Sequence, residues 1–258
     1  MSSPEHDLPN SSVGLPKIAD PTRIAGPTID QRSREMAARL NERLSGLSGN
    51  PHPLQWNMTP ELAYGRHRGP ARLKSRHAAV AVGMFWDPDC GWVFPLTRRP
   101  HTLRNHAGQI CFPGGRIESD ETPPQAALRE FEEELGQPAE VIRICGQLPV
   151  QYVYASDHHV TPIVCILRKP DRPWKPDPGE VDEVIEFPLK GVLAQTNLES
   201  PTSVSTIWHH RSVRSADSAA TEVAQIRFRA PAFAYRSQRI WGATAVILDQ
   251  LAQCLLPR

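Results

Sequence analysis

The chain has 258 residues, 40% of them apolar, enough for one large domain with extensions. Its 29 basic residues against 28 acidic ones leave a formal net charge of +1, which argues against bulk attraction to nucleic acid or to an anionic membrane. No uninterrupted apolar run is long enough to cross a bilayer, and the start, MSSPEHDLPNSSVGLPK, lacks the basic and apolar segments of a secretory signal. The closing LLPR is not a peroxisomal address. Cys90, Cys111, Cys145, Cys165 and Cys254 are odd in number and form no C-x-x-C pair, so neither a zinc site nor a disulfide framework is expected. A reducing cytoplasm is the expected location.

Residues 1–27 are rich in Pro, Ser and Asn and read as an extended or disordered arm. Residues 28–71 read as an amphipathic helix followed by a proline-punctuated linker. Thr28 and Gln31 suit a capping box, and Met36, Leu40, Leu44 and Leu47 recur at helical spacing. That helix is expected to dock on the main domain or on a second subunit, a homodimer being one outcome. From residue 72 to 258 a single domain is expected. HAAVAVGMFW and WVFPLTRR, joined by DPDCG, read as a hairpin. QICFPGG is a short strand running into a glycine loop, and TPPQAALREFEEELG is a helix. VIRICGQLPVQYVY, HHVTPIVCILR and DEVIEFPL read as strands. STIWHHRSV and EVAQIRFRAPAFAY read as a late hairpin, and RIWGATAVILDQLAQCLL as a closing helix. Strands interspersed with helices predict an α/β domain with a mixed sheet.

The segment GGRIESDETPPQAALREFEEELG carries the chemistry. Thr122, Pro123 and Gln125 mark a helix start and Gly136 its stop. Ala127, Leu128, Phe131 and Leu135 are expected on the packed face, with Glu130, Glu133 and Glu134 opposite them. Each like-charge neighbour pair costs roughly 0.2–0.5 kcal/mol, which a divalent cation would remove. Taken alone, a glutamate-rich helix is more often a solvated surface. Gly114 and Gly115 shift the balance, because they let backbone approach a cation closely. Arg129 stands ready to orient Glu130, with Glu121 as its natural partner.

This run resembles the Nudix box, G-x5-E-x7-R-E-U-x-E-E-x-G-U, with Gly115, Glu121, Arg129, Glu130, Phe131, Glu133, Glu134 and Gly136 in register and Gln137 where an apolar residue is usual. The resemblance implies a Nudix α/β/α sandwich and hydrolysis of a nucleoside diphosphate linked to another group. It implies Mg²⁺ or Mn²⁺ held by Glu130, Glu133, Glu134 and the Gly114 carbonyl. Catalytic roles fall on Glu130, Arg129, Glu133 and Glu134, and structural ones on Glu121 and Gly136. The proton acceptor stays open between Glu130 and an acid of GEVDEV: Glu180, Asp182 or Glu183.

Upstream, LTRRPHTLRNHAGQICFPGG resembles the coenzyme A pyrophosphatase branch, L-[TV]-x-R-[SA]-x3-R-x3-G-x-[VI]-[SAC]-F-P-G-G, with Pro100 as a departure. Arg98 is read as its first arginine and Arg104 as its second. This implies cleavage of coenzyme A to 3′,5′-ADP and 4′-phosphopantetheine, with Arg98, Arg104, His106 and Gly115 contacting substrate. Arg99 is read as an ordinary surface charge. WHHRSVRS is basic and is weighed as a cleft lining against an exposed hairpin. His158 and His159 are read as surface or packing residues. The alternatives are a Nudix pyrophosphatase acting on ADP-ribose or NADH, and a nucleotide-binding domain without turnover. The expected partner is a small-molecule substrate, with no nucleic acid and no membrane.

Overall fold

The computed structural model describes residues 29–47, 54–59, 74–103, 106–153, 156–196, 202–214 and 219–256, with backbone alone at 29–30, 195–196 and 202–229. The expected arm over 1–27, the Thr28 cap and Arg104 lie outside the described residues.

The elements are α1 (Ile29–Ser45), β1 (Arg76–Asp87), β2 (Gly91–Arg98), β3 (Ile110–Cys111), β4 (Gly114–Arg116), α2 (Pro123–Leu135), β5 (Val141–Gln147), β6 (Gln151–Val153), β7 (His158–Leu167), β8 (Glu183–Pro188), α3 (Leu189–Thr196), β9 (Thr202–Arg214), β10 (Ala219–Tyr235), β11 (Gln238–Trp241) and α4 (Ala243–Leu255). The first hairpin forms as expected. Its turn is closed by Asp87, whose Oδ1 accepts the amides of Asp89 and Cys90 at 2.9 and 2.8 Å. Lys169 ion-pairs with the same carboxylate at 2.6 Å and, with those amides, holds its pKa down at about 2.

The main sheet runs β3-β2-β1-β7-β5, with β4 beside β1, β6 beside β7 and β8 beside β2. β1 pairs β7 in parallel and its other partners antiparallel, so the sheet is mixed. β1 and β7 are apolar on both faces because helices cover both. Ala79, Ala81, Phe85, Ile163 and Cys165 face α2, where Phe131 and Leu135 complete the layer. Val82, Met84, Phe94, Leu96, Val164 and Ile166 face α1, α3 and α4. The result is the expected α/β/α sandwich.

Ala37, Leu40 and Leu44 of α1 are buried in this second layer. The apolar stripe that suggested a docking helix is therefore covered by its own chain. Three readings of elements need correction. VIRICGQLPVQYVY is two strands, because Pro149 cannot donate to a ladder. Arg239–Trp241 belong to β11, and the last helix starts only at Ala243, after Gly242 turns the backbone to φ 68°. The α3 helix was not anticipated from FPLKGVLAQ.

Candidate active site

Helix α2 is placed by local chemistry. The Thr122 amide and hydroxyl both donate to Gln125 Oε1, at 2.9 and 2.7 Å. Gly136 ends the helix in the left-handed region at φ 61°, and a Cβ there would stand 1.9 Å from the Lys175 carbonyl oxygen. Burial of Phe131 seats the helix on β1, and Gly83 makes room: a Cβ there would meet Leu167 at 2.6 Å.

The carboxylates do not share one solvent-facing ridge. Glu133 is exposed, Glu130 half-buried and Glu134 buried. The reason is helical phase. Seven residues fall about 20° short of two full turns, so Glu134 lies almost over Ala127, on the packed side. Its Oε2 accepts the Thr97 hydroxyl of β2 at 3.3 Å. Burial raises the Glu134 pKa to about 7; Arg99 opposes the shift and the charges of Glu130 and Glu180 add to it. Glu130 is also raised, first by burial, against the pull of Arg129.

Arg129 saturates its fork. It reaches Glu121 at 2.6 and 3.1 Å, Glu130 at 2.9 Å, Glu133 at 3.0 Å and the Arg116 carbonyl at 3.1 Å. Its own pKa is raised, chiefly by Glu121, whose carboxyl is lowered in return. Gly115 is pressed against Glu130: a Cβ there would lie 2.3 Å from that carboxyl carbon. Gly114 packs on the β1 backbone, 2.4 Å from the Ala79 oxygen by the same measure. The two glycines thus bring β4 beneath the acidic cluster.

The upstream arginines sort differently from expectation. Arg98 turns to the β8 side, pairing with Asp182 at 3.0 Å and Glu183 at 2.7 Å, and bonding Gln238 at 3.3 Å. Arg99, read as a surface charge, instead turns inward. Its guanidinium lies near the Cys111 thiol and the Glu134 carboxylate, and its buried Nε has no hydrogen-bond partner among the described residues. The sequence held the signal: in L-[TV]-x-R, counted from Leu96, the arginine falls on Arg99 and not on Arg98. His106, at φ 57°, bonds Gln109 at 2.9 Å inside the loop that Arg99 closes through the Gln109 carbonyl and the Gly108 amide.

Of the three loop acids, Asp182 and Glu183 are engaged by Arg98. Glu180 is the one whose charge is felt by both Glu130 and Glu134. His158 and His159 stay on β7, His159 stacked on His77 at 5.2 Å.

Among the described residues no three His, Cys, Asp or Glu side chains are already gathered around one point as a metal site. The donor set nevertheless suits a hard divalent cation. Burial and mutual repulsion make Glu130 and Glu134 unfavourable as anions, and oxygen-ligated cations relieve both.

The NUDIX domain model matches residues 75–206. The chain belongs to the Nudix family of hydrolases. It is 35% identical over 188 residues to a protein of Photorhabdus laumondii named uncharacterized Nudix hydrolase NudL, covering 71% of this chain and 88% of that one. The protein of the same name from Pectobacterium atrosepticum is 34% identical over 180 residues, covering 69% and 82%. Among solved structures, the MutT protein of Methanosarcina mazei aligns at 24% identity and TM-score 0.38, over 48% of this chain and 85% of that one. Family members use divalent metal ions and act on small molecules. No described helix is long and apolar enough to cross a membrane.

Proposed function

We propose that the protein is a Mg²⁺- or Mn²⁺-dependent coenzyme A pyrophosphatase, cutting coenzyme A and its derivatives into 3′,5′-ADP and a 4′-phosphopantetheine product. The observation that carries this reading is Arg99. It occupies the arginine position of the branch motif and holds an unspent donor beside the box carboxylates. A guanidinium so placed takes a phosphate oxygen with a planar, bidentate fork. Arg98, tied to Asp182 and Glu183, is assigned instead to holding the loop before β8.

Glu130, Glu133, Glu134 and the Gly114 carbonyl would hold the cation, with Arg129 fixing Glu130. When bound, a divalent ion neutralises phosphate charge and lowers the pKa of water. Glu180 is our choice for accepting the proton of the attacking water. Its charge is felt by both Glu130 and Glu134, and no hydrogen bond engages its carboxylate among the described residues. Arg104 is assigned to the 3′-phosphate by its motif position alone. The five cysteines are free thiols, consistent with a cytoplasmic location.

A substrate panel with purified protein and Mg²⁺ tests the reading. Coenzyme A should be turned over faster than dephospho-coenzyme A, ADP-ribose or NADH. Equal rates on the dephospho form would remove the role given to the 3′-phosphate, and faster cleavage of ADP-ribose would overturn the branch assignment.

A further inference from the structure

Glu180 lies in a short span held at both ends. Before it, the Lys175 amide donates to the Leu135 carbonyl at 3.0 Å, and the Gln137 side-chain amide donates to the Pro173 carbonyl at 3.0 Å. Trp174 packs edge-on to Phe131 with ring centres 6.1 Å apart, and its indole N–H donates to Glu186 at 2.9 Å. These contacts tie residues 173–175 to the C-terminal half of α2 and to β8. After it, the Asp182 amide donates to the Arg98 carbonyl at 2.8 Å, and the Arg98 guanidinium holds Asp182 and Glu183. Between the two ends stand Pro176, Asp177, Pro178, Gly179, Glu180 and Val181.

Proline has no amide to give, so these residues have four between them. Three of the four end on one residue. The Gly179 amide donates to Asp177 Oδ1 at 2.8 Å, and the Glu180 and Val181 amides donate to the Asp177 carbonyl at 3.0 and 2.8 Å. An aspartate oxygen that takes the amide two residues on mimics a backbone turn. Pro178 follows, with its φ already set for the second position of that turn. Val181 is buried, which gives the turn a fixed foot beside Glu180.

The Glu180 side chain itself is exposed, and no hydrogen bond engages its carboxylate among the described residues. The turn beneath it therefore decides where it points. A proton acceptor must come within hydrogen-bond reach of its water, and a misplacement of about 1 Å can cost about 10²-fold in rate.

We propose that Asp177 is a positioning residue for the proton acceptor, holding Glu180 toward Glu130 and Glu134 through the turn that its carboxylate and carbonyl close. What the turn needs from the side chain is an acceptor oxygen and not a charge, because the partner is a neutral amide. The inference rests on the reading of Glu180 as proton acceptor and not on the identity of the substrate.

Two measurements test it: kinetics with Mg²⁺ on whichever pyrophosphate the protein cuts fastest, and amide exchange of the metal-free protein. Glu180→Gln should lower kcat by about 10²-fold or more. Asp177→Ala should lower kcat by about tenfold and leave KM within about twofold. Asp177→Asn keeps the acceptor oxygen and should hold kcat within about twofold. In the Glu180→Gln background Asp177→Ala should cost nothing further, since it acts through Glu180. Without metal, the Gly179, Glu180 and Val181 amides should exchange several-fold faster in Asp177→Ala than in the unaltered protein or in Asp177→Asn. Should the alanine variant fail to fold, Pro178→Gly loosens the same turn and carries the same expected loss of kcat. Unimpaired turnover by Glu180→Gln would overturn the acceptor reading and the proposal with it. With that loss present, an unchanged kcat in Asp177→Ala, equal losses in the Ala and Asn variants, additive losses in the double variant, or unaltered exchange would overturn the proposal alone.

Discussion

Two arginines flank the carboxylate cluster, and they differ in what they have left to give. Arg129, on the helix side, spends its donors on Glu121, Glu130, Glu133 and a backbone carbonyl. Arg99, on the strand side, keeps a buried Nε without a partner. The first is a brace that fixes where carboxylates point. The second stands near the Glu134 carboxylate with that one donor unused. A saturated and an unsaturated cation thus stand on either side of one cluster.

The comparison breaks most visibly at the cluster itself. Glu134→Gln should lower kcat by about 10³-fold, since several kcal/mol of charge stabilisation are lost and 1.36 kcal/mol is a factor of ten. Its thermal stability should hold or rise, because a buried carboxylate is replaced by a neutral amide. Unimpaired turnover would place the chemistry elsewhere. Next comes the strand side: Arg99→Ala should raise KM for coenzyme A by about 10²-fold, and Arg98→Ala by less than about tenfold. The reverse order would show that the structure misassigns the two.

A smaller, structural effect is expected on the helix side. Gly136→Ala forces a Cβ onto the Lys175 carbonyl at a left-handed position and should cost about 2 kcal/mol in denaturant unfolding. The last expected effect is in pH. Without cation, the raised pKa of Glu134 means that the folded state binds its proton more tightly than the unfolded chain does. Stability should therefore be full below about 4.5, fall as pH rises toward 7, and level off above it. Added Mg²⁺ should flatten that decline, because the ion takes the place of the proton.

Much of this was legible in the sequence. The caps of α2, the first hairpin, the late hairpin and every charged position of the box could be read from residue types and spacing, since each depends on local chemistry. What escaped depends on phase or on distant packing. Glu134 was placed on the exposed face, although a seven-residue step returns it to the side of Ala127. Arg99 was passed over for Arg98, although neighbouring strand residues point to opposite sides and only one can face the cluster. The pairing of β11 with the end of β10 and the place of β5 at the end of the sheet are properties of sheet order, which no local pattern encodes. The break at Gly242 could have been anticipated from a glycine in a helical pattern.

The account stands on the cluster being a cation site whose strain a metal relieves. Its most direct test is an equilibrium titration of the metal-free protein with Mn²⁺, followed by electron paramagnetic resonance above pH 7, on the unaltered chain and on Glu134→Gln. We expect saturable binding that is lost or weakened at least tenfold in the variant. Equal binding by both proteins, or none by either, would contradict it.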